Sequence, residues 1–272
     1  MIIVLYKRNV NITKIIKNEL REEIDSVLIE TPINVLINDI PIVNLTCLPK
    51  DLKELAIGFL YSINILNSMN QVKNINVDEI NGKVDIYLKD STNLNIEELK
   101  VDLSAKIIDT SCGIPNVWRN LILKGLEMLK REPKQEKLQI KASLIHEMMI
   151  KMQKNTILFK ETGGCHGAAI FDKDGELLSL KEDIGRHNAI DKVIGEIIIR
   201  KIKMDDKILT TTGRLTGESV LKAIRARIPI LASLSAAIES GIRFAFAHDL
   251  TLIGFVRGSK MNIYTHPERI II

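Results

Sequence analysis

From Thr156 to the end of the chain, apolar runs of strand length alternate with longer stretches whose apolar residues recur every three or four positions. The pattern predicts strands over Thr156–Phe159, Ala168–Asp172, Glu176–Leu180, Lys207–Thr211, Pro229–Ser233, Thr251–Val256 and Met261–Tyr264, with a turn at Asp172–Gly175. Helices are predicted over His187–Arg200, Thr216–Arg227 and Ala236–His248. This alternation implies a mixed, largely parallel sheet with helices on both faces. Upstream the pattern changes. Ser26–Ile37 and Ile40–Leu45 are strand-like on either side of Asn38-Asp39, a hairpin-turn signal, and Val72–Val77 and Lys83–Leu88 flank a second one at Asn81-Gly82. Between the two, Leu52, Leu55, Ala56, Phe59, Leu60 and Ile63 fall at helical spacing, with Pro49 and Asp51 as start signals. Asn116–Lys130 reads as an amphipathic helix and Arg131–Lys137, with Pro133, as an exposed linker. Ser143 is placed to cap a helix running to about Lys154, whose methionines face a core.

The 272 residues, 46% of them hydrophobic, suffice for one large domain and a smaller one at roughly 150 residues per domain. Residues 1–104 are expected to form a small β-rich domain with one helix, and 105–272 the larger α/β domain. Cys47, Cys112 and Cys165 form no framework of close pairs, and the apolar run Met1–Tyr6 is cut off by Lys7 and Arg8, too short for a leader or a membrane span. A cytoplasmic protein with free thiols is the expectation. A net charge of +4 from 38 basic and 34 acidic side chains, with 4% aromatic residues, argues against a nucleic-acid binder but leaves room for a local cationic pocket.

In an open sheet of this kind ligands gather beyond the carboxyl ends of the strands, and polar clusters follow four of them. They are Thr162-Gly163-Gly164-Cys165-His166, Glu182 to Asn188, Thr212-Gly213-Arg214 and Arg257-Gly258-Ser259-Lys260. In the second, Arg186 and His187 open a helix whose free N–H groups suit a phosphate, and Arg214 and Arg257 come from neighbouring strand ends. Phe255, Val256, Arg257, Gly258, Ser259 and Lys260 could stack on and neutralise a nucleotide-like ligand, although a plain hairpin explains them equally well. Gly164 could present a backbone amide to an anion. No Cys-x-x-Cys exists and His166 is followed by Gly167 and Ala168, so no metal site is expected. Cys112 precedes Gly113 and a helix that Pro115 is suited to open, a setting that favours a thiolate. Position alone leaves a reactive thiol and a small buried hydrophobe equally open. Cys47 and Cys165 read as packing residues, and His146 and His248 as surface or satisfied ones.

Four segments in order, Thr31-Pro32 through Leu48-Pro49-Lys50-Asp51 to Leu60, Thr162 to Ala169, Glu182 to Lys192 (E-D-I-G-R-H-N-A-I-D-K) and Thr251 to Arg269, together resemble the formate dehydrogenase accessory sulfurtransferases, the FdhD family. The resemblance implies a three-layer α/β/α, cytidine-deaminase-like domain without the deaminase zinc, a smaller β-rich N-terminal domain and a homodimer. It also implies a sulfurtransferase activity: sulfur is accepted as a persulfide from a cysteine desulfurase and passed to a molybdenum or tungsten bis(pyranopterin guanine dinucleotide) cofactor destined for formate dehydrogenase. By motif position the persulfide residue is Cys112, and the cofactor-binding stretch is Phe255 to Lys260; Gly164, His166, Arg186, His187 and Arg214 complete the expected cofactor-binding set. The family commonly has a Cys-x-x-Cys at this loop, where this chain has Cys112-Gly113-Ile114-Pro115. A single thiolate can still carry a persulfide. The missing second thiol also admits a non-catalytic chaperone that binds the cofactor without transferring sulfur.

Overall fold

The computed structural model describes residues 5–89, the strand at 107–108 and residues 138–272. The predicted helix Asn116–Lys130, the linker Arg131–Lys137, the 104/105 domain boundary and Cys112 lie outside the described residues. The chain opens on a ribbon of two strands, β1 (Lys7–Ile16) and β2 (Glu19–Leu28), paired only with each other. Ser26–Leu28, expected to continue into the next strand, belongs to this ribbon; the run breaks at Ile29 and Glu30 before β3 (Thr31–Ile37). β3 turns through Asn38 and Asp39, both with positive φ, into β4 (Ile40–Cys47). After α1 (Leu52–Ser62) come β5 (Val72–Asp78) and β6 (Lys83–Leu88). With β7 (Ile107–Ile108) they make a five-stranded sheet in the order β5-β6-β3-β4-β7.

β8 (Ile140–Lys141) leads directly into α2 (Ala142–Asn155), which Lys141 precedes without a side-chain cap, so Ser143 lies inside the helix and does not cap it. The next segment, expected as a strand over Thr156–Phe159, is instead the short helix α3 (Ile157–Thr162). The reason is tertiary: the Glu182 carboxylate accepts the N–H groups of Leu158 (3.1 Å) and Phe159 (2.8 Å), capping a helix start from 23 and 24 residues away. Then follow β9 (His166–Phe171), β10 (Leu177–Asp183), α4 (Arg186–Ile199), β11 (Ile208–Thr211) and α5 (Gly217–Arg225). The chain ends with β12 (Ile230–Ser233), α6 (Glu239–Ala247), β13 (Thr251–Arg257), β14 (Lys260–Ile263) and β15 (Ile270–Ile271), the last paired in parallel with β8.

β10-β9-β11-β12-β13-β14 is the order of the main sheet, and only β11/β12 and β12/β13 pair in parallel. The expectation of a largely parallel sheet therefore holds for its centre alone. β10 follows β9 and β14 follows β13 through turns too short for a crossover, so those pairs must be antiparallel, and β9 also pairs antiparallel with β11. Both faces of the sheet are apolar. Ala168, Ile170, Leu209, Leu231 and Leu252 share a core with α4 and α5, while Ala169, Phe171, Ile208, Ile230 and Ala232 pack on Met148, Met149 and Met152 of α2. This is the three-layer α/β/α arrangement implied by the resemblance, and the methionines are core.

The first of these cores runs without interruption into the N-terminal sheet through α1, which crosses α4 at very close range. A Cβ added at Gly58 would lie 1.8 Å from the Asp191 carbonyl oxygen, and one added at Gly195 would lie 1.9 Å from that of Glu54. Only glycine at both positions lets the helices approach so closely. Gly58→Ala is accordingly expected to lower unfolding stability by at least about 3 kcal/mol, the range of severe overpacking. Urea denaturation measures it, and a loss below about 1 kcal/mol would contradict the close crossing.

Candidate functional site

The stretch Glu182 to Lys192 spans the end of β10 and the first turns of α4, and most of its charged side chains point inward. Asp183 and Lys192, both fully buried, form an ion pair at 2.6 Å. Asp183 also accepts Leu48 N–H (3.1 Å), Gly185 N–H (2.8 Å) and an Asn188 amide hydrogen (3.1 Å), while Lys192 donates to the Leu48 carbonyl (3.1 Å). Asn188 donates further to the Thr46 carbonyl at 2.9 Å. One turn on, Asp191 pairs with Lys222 of α5 at 2.6 Å and accepts the Ser62 hydroxyl of α1 at 2.7 Å. Burial pushes the Asp191 carboxyl up from its ordinary value, with Lys222 and Ser62 working against that shift. Asp183, Asp191 and Lys192 are therefore buried and paired, not solvated. These residues bolt α4 to the N-terminal sheet and to α1.

Arg186 and His187 are left at the carboxyl edge. Because β9 runs against its neighbours, its first residue, His166, reaches the same edge as the ends of β10 and β11. Gly213, in the loop after β11, has no side chain where a Cβ would come within 2.8 Å of Arg186 Cβ, so Arg186 lies along that loop. Arg214, also in the loop, is exposed. Arg186 is held below its usual range by burial and then by Arg214, and its Nε is buried with no hydrogen-bond partner. A guanidinium beside a second one, with an unused buried donor, suits an anion.

Both histidines in this cluster have their pKa values lowered by their surroundings. Thr212 Oγ1 accepts Gly167 N–H at 3.1 Å and lies 3.1 Å from His166 Nδ1, holding the ring at this edge. Burial, Arg186 and Arg214 all lower the His166 pKa. His187 sits deeper, with Nε2 3.3 Å from Thr216 Oγ1 and 3.5 Å from Glu218 Oε2. Burial, then Lys222, Arg186, His166 and Arg214, push it down to about 3. Its side chain lies behind the edge, as a support for the Thr216 loop.

Further along the edge, the loops after β11, β12 and β13 are laced together. Ser233 Oγ donates to the Gly213 carbonyl (2.6 Å), Phe255 N–H to the Ser235 carbonyl (3.0 Å), and Arg257 Nε to the Leu234 carbonyl (2.7 Å). The Ser233–Ser235 loop was not among the sequence clusters, and its signal was the Ser-x-Ser immediately after a strand. Phe255 adopts φ 52°, unusual for an aromatic residue, within a bulge that leaves it and Arg257 exposed, and the Arg257 guanidinium lies 5.6 Å from its ring centroid. Gly258, Ser259 and Lys260 are exposed beside them, whereas the Val256 side chain is buried in the core on the α2 side. β11 and β13 are two strand spacings apart, about 10 Å. Cationic side chains thus recur along one edge at a spacing that a ligand with several phosphates can bridge.

Of the cysteines, Cys47 and Cys165 are buried. Burial first, then the negative charge of Asp183 beside Cys47 and of Glu182 beside Cys165, pushes both thiols up to about 12. Neither offers a thiolate at neutral pH. Gly164 is exposed just ahead of Cys165. Among the described residues Asp249, His266 and Glu268 lie close enough together for a metal ion, at the surface and away from the strand ends described above.

The His187 environment has a measurable consequence. Unfolding restores its pKa to about 6.5, so below that pH the unfolded chain binds a proton that the folded one does not take up until about 3, and stability falls as the pH drops through this window. Between pH 7 and pH 5 the loss from this group is expected to be about 2 kcal/mol. His187→Asn should remove most of that pH dependence in urea titrations, and an unchanged slope would mean that the ring is not held neutral.

Comparison with known proteins agrees with this geometry. The sequence model of the FdhD/NarQ family matches residues 28–271. The sulfur carrier protein FdhD of Saccharolobus solfataricus is 36% identical over 266 residues, covering 96% of each chain, and that of Bacillus subtilis is 34% identical over 254 residues, covering 93% of this chain and 94% of its own. A solved structure described as a formate dehydrogenase accessory protein from Desulfotalea psychrophila superposes with a TM-score of 0.78 at 26% identity, over 98% of this chain and all of that one. With its fold, its motifs and nearly its whole length in common with these proteins, the chain belongs to the FdhD/NarQ family.

Proposed function

We propose that this protein is a sulfur carrier in formate dehydrogenase maturation, with Cys112 as the carrying residue and the cationic strand edge as the seat of the phosphorylated cofactor that receives the sulfur. The observation that carries the reading is the register of β7. Ile107 and Ile108 pair in parallel with Asn44 and Leu45 of β4, and β4 runs on to Thr46 and Leu48, which are tied to Asn188 and Asp183 on either side of Arg186. Cys112 follows Ile108 by four residues, which bounds its distance from that strand end at about 14 Å. The state of the other two thiols supports the assignment, since both are held protonated.

In the reaction, the Cys112 thiolate attacks the sulfane sulfur of a donor persulfide, such as that of a cysteine desulfurase. A sulfur–sulfur bond forms at Cys112 and the donor cysteine leaves as its thiolate, so no oxidant is consumed. The acceptor is a molybdenum or tungsten bis(pyranopterin guanine dinucleotide), bound as substrate. Its phosphates suit Arg186, whose buried Nε lacks a partner, together with Arg214, Arg257 and Lys260, and Phe255 offers a ring face to a guanine base. His166, held beside Thr212 at the same edge with its pKa lowered by burial and by Arg186 and Arg214, adds a polar ring nitrogen to the site.

Incubation with a cysteine desulfurase and cysteine is expected to add one sulfur to the Cys112 peptide by mass spectrometry, and Cys112→Ala to abolish it. Label that persists in the variant would defeat the assignment. If Cys112→Ala still restored formate dehydrogenase activity in cells lacking the wild-type protein, the chaperone reading would replace sulfur transfer. For the pocket, Arg186→Ala or Arg257→Ala should weaken guanosine diphosphate binding by about 10- to 100-fold, the worth of one charge-assisted hydrogen bond. Unchanged affinity in both variants would move the cofactor elsewhere.

A further inference from the structure

A second group of ionisable side chains lies at the opposite end of β13 from Phe255 and Arg257. Asp249 stands in the turn between α6 and β13, and His266 and Glu268 come from the segment between β14 and β15, where Pro267–Arg269 forms a single 3-10 turn. His266 Nδ1 is 3.4 Å from Asp249 Oδ1 and 3.7 Å from Glu268 Oε1, and the three atoms all lie within 4.8 Å of one another. The length of β13, on the order of 20 Å, separates this group from the cationic edge.

The spacing is not that of an ordinary ion pair. An imidazolium hydrogen-bonded to a carboxylate comes within about 2.7–2.9 Å, well short of either distance. Bonds of about 2.0–2.1 Å from one small ion at tetrahedral angles place neighbouring donor atoms about 3.3–3.4 Å apart. The first distance is that spacing, and the second exceeds it by a few tenths of an ångström. The ring is also oriented as a ligand. Its Nε2 lies 3.2 Å from the Phe246 carbonyl, which can only accept, so Nε2 carries a proton and Nδ1 is the nitrogen facing the carboxylates. A histidine that holds a metal through one nitrogen has its ring fixed in this way when the other donates to a backbone carbonyl. Phe246 also stacks on the imidazole, with centroids 5.6 Å apart and planes at 20°, which holds the ring plane.

Asp249 is held from behind. The buried Arg269 donates to its Oδ2 at 2.7 Å, and Oδ1 is the oxygen nearer the histidine. Arg269 donates as well to Thr251 Oγ1 (3.2 Å), and that hydroxyl donates to the His266 carbonyl (2.9 Å), so two of the three ligand residues are tied to one buried guanidinium. One imidazole and two carboxylates suit a borderline divalent ion, whereas calcium and magnesium take oxygen ligands. We infer that Asp249, His266 and Glu268 bind one divalent transition-metal ion of the zinc kind, through Nδ1 and an oxygen of each carboxylate, with a fourth position open to water. Such an ion joins the end of α6 to the segment leading into β15. The inference does not rest on the sulfur-carrying reading.

The test is calorimetric titration of the tag-free full chain with zinc chloride after treatment with a chelator. One equivalent is expected to bind, equally well in wild type and in Cys112→Ala, so that no thiol supplies the affinity. Glu268→Gln, at an exposed position, should weaken binding at least tenfold while keeping the wild-type circular dichroism spectrum and the Tm measured in chelator. His266→Gln should abolish binding. Zinc is expected to raise the Tm of wild type and not that of His266→Gln. Cobalt(II) in place of zinc should give the strong visible absorption of a four-coordinate ion, lost in His266→Gln. No stoichiometric zinc in wild type, binding that disappears in Cys112→Ala, or affinity unchanged in either Glu268→Gln or His266→Gln would each overturn the site. Persulfide loading of Cys112 is expected to be the same in Glu268→Gln as in wild type, which keeps a failure of this site distinct from a failure of sulfur carriage.

Discussion

Two buried ion pairs, Asp183 with Lys192 and Asp191 with Lys222, hold this molecule together at the point where its parts meet. Each charge is desolvated, and each is kept from being ruinous by additional hydrogen bonds: Asp183 from Leu48, Gly185 and Asn188, and Asp191 from Ser62. Because the partners of each pair come from different elements or bind backbone far off in sequence, they fix relative position more than they add stability. The end of β4, the end of α1, the end of β10 and the start of α4 are all set by the same few atoms. Removing one charge would leave its partner buried and alone, which costs about 3–5 kcal/mol in comparable sites.

The functional edge inherits its geometry from that arrangement. Arg186 is the first residue of α4, three positions after Asp183, and cannot drift while Asp183 holds Gly185 N–H and Asn188. Gly213 lets the neighbouring loop lie against it, and the reversed direction of β9 adds His166. The result is a row of guanidinium groups and imidazoles over a low-dielectric core, with Glu218 beside His187 as the neighbouring carboxylate. Such a site attracts a polyanion before any specific contact forms. The strained Phe255 on its bulge fits the same description, since a left-handed conformation in an aromatic residue persists only where the surrounding structure imposes it.

Much of this was legible in the residues themselves. Apolar periodicity gave the order of strands and helices from β9 onward, and Asn38-Asp39 and Asn81-Gly82 marked their hairpins because few other residues tolerate the backbone those turns require. The cationic residues Arg186, Arg214 and Arg257 were visible as strand-end clusters for the same local reason. The sequence could not say that six of the eleven residues in Glu182 to Lys192, namely Glu182, Asp183, Gly185, Asn188, Asp191 and Lys192, serve the architecture. Nor could it show that Thr156–Phe159 would be recruited into a helix by a carboxylate 23 residues downstream.

The division follows from the range of the forces. Turn chemistry and the period of the apolar pattern act within a few residues, so the order of elements from β9 onward, the two hairpins and the candidate ligand groups could be read from sequence alone. Whether a charge is solvated or buried, whether a thiol is acidic or held near pKa 12, and whether a short apolar run becomes strand or helix depend on what lies across space. Those were decided only when Gly58 met Gly195 and Asp183 met Lys192.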